Sequence, residues 1–227
     1  PVTAADLKAE AIIMPALKKL TPDFPIVAEE AASRGEIPDV DDQPFWLVDP
    51  LDGTKEFINR NGEFTVNIAL IENGRSVAGI VHVPVTRISY YGAAGLGAWK
   101  QDCSRADSPA EAITSRSMGE DAGVRIVASR RHLGDRLEAL VSKVEDHFGA
   151  ATLLNMGSSL KMCLLAEGAA DIYPRMAPTS EWDTAAGHAV LNAAGGSMTA
   201  FDGTSFRYGK SGEKFLNGMF IAKGRNV

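Results

Sequence analysis

The most constraining feature of this sequence is an apolar run that ends abruptly in two acids, a glycine and a hydroxyl. Phe45 to Val48 is followed at once by Asp49-Pro50-Leu51-Asp52-Gly53-Thr54. Burying the run as a strand carries both carboxylates to the edge of a sheet. Because Pro50 fixes one backbone φ and Gly53 frees another, a tight turn can hold the two acids close together. Like charges that close repel each other unless a cation lies between them, so this segment is a candidate cation site.

A more ordinary interpretation stays open, in which Asp52 caps a short helix from Thr54 to Asn59 and Asp49 is a turn residue. Three neighbouring motifs are excluded. An EF-hand loop needs oxygen-bearing side chains where Leu51 and Gly53 stand. The aspartyl-phosphate pattern D-x-D-x-T fails because Pro50 stands two residues before Asp52, and the sequence has neither a P-loop nor a G-x-G-x-x-G motif. Kinase, dehydrogenase and covalent-aspartate chemistry are therefore disfavoured.

Charge is distributed unevenly along the chain. The whole formal net charge of −6 lies in the first 60 residues, and the remainder is balanced. This disfavours a surface for nucleic-acid polymers. The longest uncharged stretch, 184–201, contains a histidine, an asparagine and the pair Gly195-Gly196, so no membrane-spanning segment is predicted.

Cys103 and Cys163 have neither metal-ligand spacing nor the number needed for a disulfide framework. We therefore expect a protein of the reducing cytoplasm, with a peripheral position on the cytoplasmic face of the inner membrane as a further option.

The pattern of elements indicates two subdomains. After a helix from Ala4 to Leu20, short apolar runs predict an antiparallel-rich α+β half, in which Asn73-Gly74 connects a hairpin. The segment from Asp102 to Gly123 is polar and without an apolar period, and we place a boundary there. Strands and helices alternate beyond it. The expected subdomains are 1–123, which carries the acids, and 124–227.

Two further acidic positions stand at element boundaries. Glu29 and Glu30 follow an apolar run, and Asp183 follows Trp182 at the start of a predicted helix from Asp183 to Ala194. By itself, Asp183 is interpreted more simply as a helix N-cap than as a ligand.

Taken together, these segments resemble a known family. Ala28-Glu29-Glu30, the run Asp49 to Thr54, and Trp182-Asp183-Thr184-Ala185-Ala186-Gly187 are similar in order and spacing to three motifs of the inositol monophosphatase-like, lithium-sensitive, metal-dependent phosphatases. Pro1 to Asp6 resembles the V-T-x-x-D segment of that family. Within it, residues 55–58, 129–132 and 157–161 resemble the bacterial 3′(2′),5′-bisphosphate nucleotidases of sulfur assimilation. The match departs from the pattern at Arg131, where a serine is usual.

The resemblance implies a layered αβαβα sandwich and a site for two to three Mg²⁺ ions. Its ligands would be Glu29, Asp49, the Leu51 carbonyl, Asp52 and Asp183. Hard oxygen ligands of this kind suit Mg²⁺, and paired ions stabilise both oxygens of an in-line displacement. Asp6 and Thr54 would position and deprotonate the attacking water, with Glu29 beside them.

The second half is implied to bind the substrate. Gly157, Ser158 and Ser159 precede a helix and form a candidate anion site, to which Lys161 and Arg175 add positive charge. The remaining implied contacts are made by Gly53, Thr54, Asp183, Ser129 and His132. Simpler interpretations stay open: Ser158 or Ser159 as an N-cap, Lys161 and Arg175 as surface cations, and His132 as the start of a helix.

The expected function is hydrolysis of the 3′-phosphate of adenosine 3′,5′-bisphosphate (PAP) to AMP, with its 5′-sulfated analogue as a second substrate. The alternatives are an inositol-1-monophosphatase, which would share every metal ligand, and a non-catalytic module that binds metal and nucleotide. A small-molecule substrate is expected in each case.

Overall fold

The first helix begins where its sequence predicts. The computed structural model describes residues 3–41, 43–118, 123–128 and 135–225. Helix α1 spans Ala4–Leu20, and Thr3 is its N-cap. The Thr3 hydroxyl accepts a hydrogen bond from the Ala5 N–H (3.2 Å), and the Asp6 carboxylate accepts one from the Thr3 N–H (2.9 Å). This capping box holds the buried Asp6 in the first helical turn.

Seven strands of the described chain form one sheet in sequence order. They are β1 Ile26–Ala28, β2 Phe45–Asp52, β3 Thr65–Glu72, β4 Arg75–Val83, β5 Ile88–Ala93, β6 Gly97–Asp102 and β7 Ala110–Ile113. β1 is parallel to β2, and every later pair is antiparallel. Asn73 and Gly74 connect β3 and β4 with φ values of 51° and 71°, which confirms the two-residue hairpin.

A second, mixed sheet of five strands follows in the described residues, in the order β12-β14-β10-β8-β9. Its strands are β8 Val124–Ala128, β9 Ala151–Asn155, β10 Ile172–Arg175, β12 Ser197–Ala200 and β14 Phe220–Lys223, and a separate pair is formed by β11 Thr179–Ser180 and β13 Leu216–Asn217. The other helices are α2 Glu29–Ser33, α3 Thr54–Ile58, α4 Asp135–Phe148, α5 Leu160–Ala166 and α6 Glu181–Ala193.

The layers stack as α1, first sheet, α5 and α6, second sheet, and α4. Alternate residues of β2 separate the two faces of the first sheet: Trp46 and Val48 pack against α1, while Phe45 and Leu47 belong to the core shared with α6. Helix α4 packs on the outer face of the second sheet through Leu137 and Val144. The predicted layered sandwich is confirmed.

Several element predictions need correction. The interpretation of 102–123 as a polar connection is wrong over 110–113, where β7 extends the first sheet. Its residues are largely exposed, so burial imposes no apolar period on them. Helix α6 begins at Glu181, two residues earlier than predicted. The described part of helix α4 begins at Asp135. None of the helices in the described ranges is both long and apolar enough to cross a membrane.

The boundary at residue 123 separates the strands of the two sheets, but it does not separate their cores. Helix α6 follows the boundary and yet packs on β3, β4 and β5 of the first sheet. One hydrophobic cluster accordingly contains residues from both sides, such as Leu47 and Val190. The division into subdomains stays a prediction.

The approach of α6 to the first sheet is close enough to require glycine. We expect Gly79→Ala to destabilise the protein, because the new Cβ would lie 2.5 Å from the Ala186 carbonyl oxygen of α6. Overpacking of this kind lowers the free energy of unfolding by roughly 1–3 kcal/mol. Urea denaturation measures the change. Gly218→Ala is the matched control, since its Cβ would meet nothing within 4 Å; equal midpoints for the two variants would contradict the packing described here.

Candidate metal and substrate site

A β-bulge in β2 brings Asp49 and Asp52 to one face. Residues three apart in a regular strand point to opposite faces. Asp49 pairs with Asn67 of β3 and Asp52 with Thr65, so three steps along β2 match two along β3. The extra residue returns Asp52 to the face of Asp49. The prediction that the strand ends at Val48 in a tight turn is therefore wrong, although the two acids are brought together as expected.

Gly53 supplies the backbone conformation that ends the bulged strand. Its φ of 91° lies in the left-handed region, and it occupies the N-cap of α3. No side chain makes a capping hydrogen bond there. The interpretation of Asp52 as the cap of this short helix is therefore wrong.

Asp183 joins the two strand acids from the first turn of α6. One carboxylate oxygen from each of Asp49, Asp52 and Asp183 lies within 4.8 Å of the others, the one such cluster found in the described residues. Asp183 Oδ2 accepts hydrogen bonds from the Thr179 hydroxyl and from the Ser180 N–H (3.0 Å). Asp183 is thus the third residue of a capping box, with Ser180 as the N-cap, and the prediction that Asp183 itself is the N-cap is wrong.

Buried Glu181 anchors the start of α6. Its carboxylate accepts hydrogen bonds from the Gly209 N–H (2.7 Å) and the Lys210 N–H (3.1 Å), and the Lys210 ammonium lies 2.6 Å away. These contacts fix the helical turn that carries Asp183.

Glu29 approaches the cluster from α2. Glu10 of α1 accepts hydrogen bonds from the N–H groups of Glu30 (3.1 Å) and Ala31 (3.3 Å), which caps α2 and fixes its first turn. The Glu29 carboxyl lies near enough to Asp49 for each to affect the pKa of the other. Burial raises the pKa of Glu29 to about 7, with nearby acids adding to the rise and Asp49 opposing it.

The other acids are perturbed for the same reasons. Burial, followed by the charges of Asp52, Glu29 and Asp183, raises the pKa of Asp49 well above its usual range. Burial and Asp52 raise the pKa of Asp183 to about 6, against the lowering effect of its bonds to Thr179 and Ser180. Glu29, Asp49 and Asp183 therefore keep their protons to a higher pH than free carboxyl groups do, unless positive charge is supplied. Their oxygens are the donors that Mg²⁺ prefers, so the chemistry of this cluster fits a divalent cation.

The contacts of Asp6 and Leu51 do not test their predicted roles. Activation of water by Asp6 and metal binding by the Leu51 carbonyl both stay predictions. The Asp6 carboxylate is bonded to Thr3, and no hydrogen bond within the described ranges joins Asp6 to Thr54. The Leu51 N–H donates to Asp49 Oδ1 (2.9 Å), inside the bulge. Leu51 thus orients the central carboxylate through its N–H group.

Ser159 connects the second half of the chain to the acidic cluster. Its N–H and its hydroxyl lie 2.6 Å and 2.8 Å from Asp52 Oδ2. Asn67 donates to the same hydroxyl (2.9 Å), which also lies 2.6 Å from the Asp183 carbonyl oxygen. The N–H expected to bind a substrate anion is therefore bonded to a protein carboxylate here. A contact of Ser159 with substrate stays a prediction.

Of the predicted acidic ligands, Asp52 and Asp183 line a cavity of about 240 Å³ together with predicted substrate residues, whereas Glu29 and Asp49 do not line it. Its lining consists of Asp52, Gly53, Lys55, Glu56, Gly157, Ser158, Ser159, Lys161, Tyr173, Arg175, Thr179, Asp183 and Thr184. Residues separated by more than a hundred positions thus face one volume. Ser129 and His132 lie outside the described residues.

The two cations of this cavity differ in how they are held. Lys161 is buried, donates to the carbonyls of Ser158 (2.5 Å) and Met156 (3.4 Å), and has its ammonium 5.2 Å from the centroid of the Tyr173 ring. Burial lowers its pKa to about 8. The interpretation of Lys161 as a surface cation is wrong. Half-buried Arg175 donates to the carbonyls of Ala177 (3.2 Å) and Pro178 (3.3 Å) at the cavity wall.

Gly157 and Ser158 form the loop that crosses to the first half. The Gly157 N–H donates to Glu63 Oε2 (2.7 Å), and a Cβ on this glycine would lie 2.9 Å from both Glu56 Cγ and Glu63 Oε2. Ser158 has a φ of 45°. The loop is thereby held against α3 and the residues that follow it.

Sequence reasoning assigned no role to several lining and bracing residues. Glu63, Asn67, Tyr173 and Thr179 are examples, and they carry no motif of their own. One signal was present: Ser180-Glu181-Trp182-Asp183 has the S-x-x-D pattern of a capping box, which locates the true start of α6.

Comparison with known proteins places this arrangement in a family. The profile of the inositol monophosphatase family matches residues 1–223. The chain belongs to the inositol monophosphatase family.

Its relatives include a 3′(2′),5′-bisphosphate nucleotidase. The enzyme CysQ of Salmonella typhimurium, which bears that name, is 46% identical over 221 residues, spanning 97% of this chain and 84% of the relative. The crystal structure of CysQ from Bacteroides thetaiotaomicron superposes with a TM-score of 0.82 at 39% identity, covering 98% of this chain and 84% of that one. The structure of inositol monophosphatase from Anabaena superposes with a TM-score of 0.76 at 29% identity, covering 100% of this chain and 83% of that one. The resemblance seen in the motifs is confirmed.

The raised carboxyl pKa values predict a pH dependence of stability without metal. Groups whose pKa is higher in the folded state stabilise it fully below their unfolded pKa values of about 4, and this contribution is lost as pH rises toward 7. We expect the metal-free protein to unfold at lower urea concentration at pH 7.5 than at pH 5.5. Asp49→Asn replaces a carboxyl whose pKa is raised by an amide that does not ionise, so it should stabilise the metal-free protein at pH 7.5 by roughly 1–3 kcal/mol.

Urea titrations in a chelator at both pH values measure this effect. Asp107→Asn is the matched control, because this side chain is 81% exposed and outside the cluster. If Asp49→Asn and Asp107→Asn shift the unfolding midpoint equally at pH 7.5, the repulsion assigned to Asp49 is absent.

Proposed function

We propose that this protein is a Mg²⁺-dependent phosphomonoesterase that hydrolyses the 3′-phosphate of adenosine 3′,5′-bisphosphate to AMP. The observation that carries the proposal is the shared cavity, which combines acidic metal-site candidates with Lys161 and Arg175. The nucleotidase names of relatives 39–46% identical to this chain support the same substrate class. The sulfated 5′ analogue is proposed as a second substrate.

Glu29, Asp49, the Leu51 carbonyl, Asp52 and Asp183 would hold two to three Mg²⁺ ions. When bound, these ions supply positive charge that stabilises the phosphoryl group in the transition state. The protein contributes the fixed positions of the ligands: the bulge holds Asp49 beside Asp52, and Ser159 donates to Asp52 Oδ2. Loss of either support would misplace a carboxylate without removing it.

Thr54 and Asp6 are proposed to hold and deprotonate the attacking water. Thr54 is the first residue of α3, directly after the left-handed Gly53, so its hydroxyl is fixed next to the bulge. Asp6 is held in the first turn of α1 by Thr3. A water bonded to the Thr54 hydroxyl would pass a proton to the Asp6 carboxylate as its oxygen bonds to phosphorus. The bond from phosphorus to the ribose 3′-oxygen would break, and that oxygen would take a proton from solvent, giving AMP and inorganic phosphate. Glu29 is proposed to act beside Asp6 and Thr54 as a metal ligand.

The remaining cavity residues are proposed to bind the nucleotide. Arg175 presents a planar guanidinium that matches a second phosphate, and Lys161 adds charge while it supports the 156–158 loop. Gly157, Ser158 and Ser159 would contact phosphate, with Ser129 and His132 proposed as contacts to the nucleoside. Residues 1–123 would thus supply the metal ligands other than Asp183, and residues 124–227 would supply Asp183 and most of the substrate contacts.

The proposed location is the cytoplasm. Cys103 and Cys163 are both unpaired in the structure, as expected in a reducing compartment.

Catalysis should require Mg²⁺ and stop in a chelator. Excess Ca²⁺ should inhibit, because its longer and looser coordination fits the same carboxylates without the octahedral geometry of Mg²⁺. Lithium inhibition is expected from family membership. Phosphate release from adenosine 3′,5′-bisphosphate is the measurement. Full activity in the chelator would overturn the metal mechanism. Binding of the nucleotide without its hydrolysis at any Mg²⁺ concentration would favour the alternative of a non-catalytic module that binds metal and nucleotide.

Substrate choice can be tested at Arg175. We expect Arg175→Ala to lower kcat/KM for adenosine 3′,5′-bisphosphate by roughly ten- to a hundredfold, since charge-assisted hydrogen bonds contribute about 1.5–3 kcal/mol. Hydrolysis of adenosine 3′-monophosphate, which lacks the second phosphate, should change little. Arg105→Ala is the control, because that side chain is 76% exposed and does not line the cavity.

Equal losses on the two substrates would assign Arg175 to the scissile phosphate or to the fold. If inositol 1-phosphate were then hydrolysed faster than both nucleotides, the inositol monophosphatase alternative would replace the proposal.

A further inference from the structure

A second cavity, of about 800 Å³, lies along the middle of α6. Its walls come from the start of β4, the turn between β5 and β6, the α6 residues 188–193, strand β12 and the segment 205–207. It shares no lining residue with the catalytic cavity. Volumes of this size accommodate small organic ligands.

The lining combines apolar surface with positive charge. Val77, Leu96, Met198 and Phe206 supply apolar side chains, and Leu96 is 74% exposed. The cationic groups are Arg75 and Arg207, and none of the described lining residues is acidic. The chemistry favours a ligand with an apolar body and a negatively charged group.

Both arginines are exposed, so the charge is available to a ligand. Arg207 donates through Nη1 to the Asn73 carbonyl oxygen (3.0 Å), which positions its guanidinium next to the β3–β4 hairpin. Arg75 is the first residue of β4 and pairs with Glu72 across the same hairpin. The Arg207 guanidinium and the backbone of Arg75 therefore lie at the same hairpin.

His188 adds a hydrogen-bond donor at the wall. The residue is only 6% exposed, and its Nδ1 lies 2.9 Å from the hydroxyl of buried Tyr208. Burial lowers the pKa of His188 to about 4, so the ring is neutral near pH 7. The direction of this bond depends on the tautomer of the ring: where the Tyr208 hydroxyl donates to Nδ1, the ring proton is on Nε2. Nε2 has no hydrogen-bond partner among the residues that the structure describes.

From these observations we propose that the second cavity binds a small organic anion, whose acidic group meets Arg75, Arg207 and His188 Nε2 and whose apolar part packs on Leu96, Val77 and Phe206. An anionic group at this wall would select the His188 tautomer that carries its proton on Nε2, and it would neutralise the two arginines. This site is independent of the proposed nucleotidase reaction.

Naphthalene-2-sulfonate is a suitable probe, since it pairs one fixed negative charge with a flat apolar body. Isothermal titration calorimetry on the whole chain, with Mg²⁺ and saturating inorganic phosphate to occupy the catalytic cavity, measures its Kd. Replacing both rim arginines (Arg75→Ala with Arg207→Ala) should raise that Kd roughly five- to tenfold, the range expected for two exposed charge contacts. Arg105→Ala and Arg175→Ala should leave it unchanged.

The neutral analogue naphthalene-2-methanol should bind the unaltered protein at least fivefold more weakly than the sulfonate. Phosphate release by the double variant should equal that of the unaltered protein, which shows that it is folded. Binding that is insensitive to the rim arginines, or lost in Arg175→Ala, would overturn the proposal. Equal affinity for the charged and neutral probes would overturn the anion assignment.

Discussion

Mutual repulsion among buried carboxylates is the constraint on which this structure depends. Asp49 and Asp52 come from one bulged strand, Glu29 from a capped short helix, and Asp183 from the first turn of α6. Without a cation, burial and the neighbouring acids raise the pKa of Glu29 to about 7 and that of Asp49 well above its usual range. The surrounding hydrogen bonds orient the acids without neutralising them. The arrangement therefore favours folding around a cation, and the same unneutralised charge is what a metal-dependent reaction uses.

Helix α6 transmits this constraint to the rest of the molecule. It lies between the two sheets, and glycine at position 79 allows its backbone to approach β4. Its first turn holds Asp183 in the cavity that we propose as the active site. His188, one turn beyond Thr184 on the same face of the helix, borders the second cavity. Because one rigid helix borders both cavities, a displacement of α6 at one cavity also moves the α6 residues that line the other cavity. The packing of α6 thus determines the geometry of the proposed active site.

Local sequence rules predicted much of the fold because several signals were self-contained. Thr3 and Asp6 form the capping box that begins α1, and Asn73-Gly74 forms the hairpin turn. Strand β7 was missed because its exposed residues have no apolar period, and Lys161 was misjudged because a lysine in sequence carries no sign of burial. The bulge in β2 was replaced by a turn in the prediction, since register against β3 depends on a second strand. The sequence suggested only a substrate contact for Ser159. Its hydrogen bond to Asp52 could not be foreseen, because the two residues are 107 positions apart.

The sequence by itself determined which acids form the candidate metal site and which family the chain belongs to, because those properties are carried by short motifs in a characteristic order. It also determined the layered class of fold, through the succession of strand and helix patterns. Only the tertiary structure decided that Asp49 and Asp52 share a face, that Ser159 supports a carboxylate, and that α6 separates two cavities. These features arise from register and packing between distant segments. No local pattern encodes them, because each depends on residues that meet only in the folded chain.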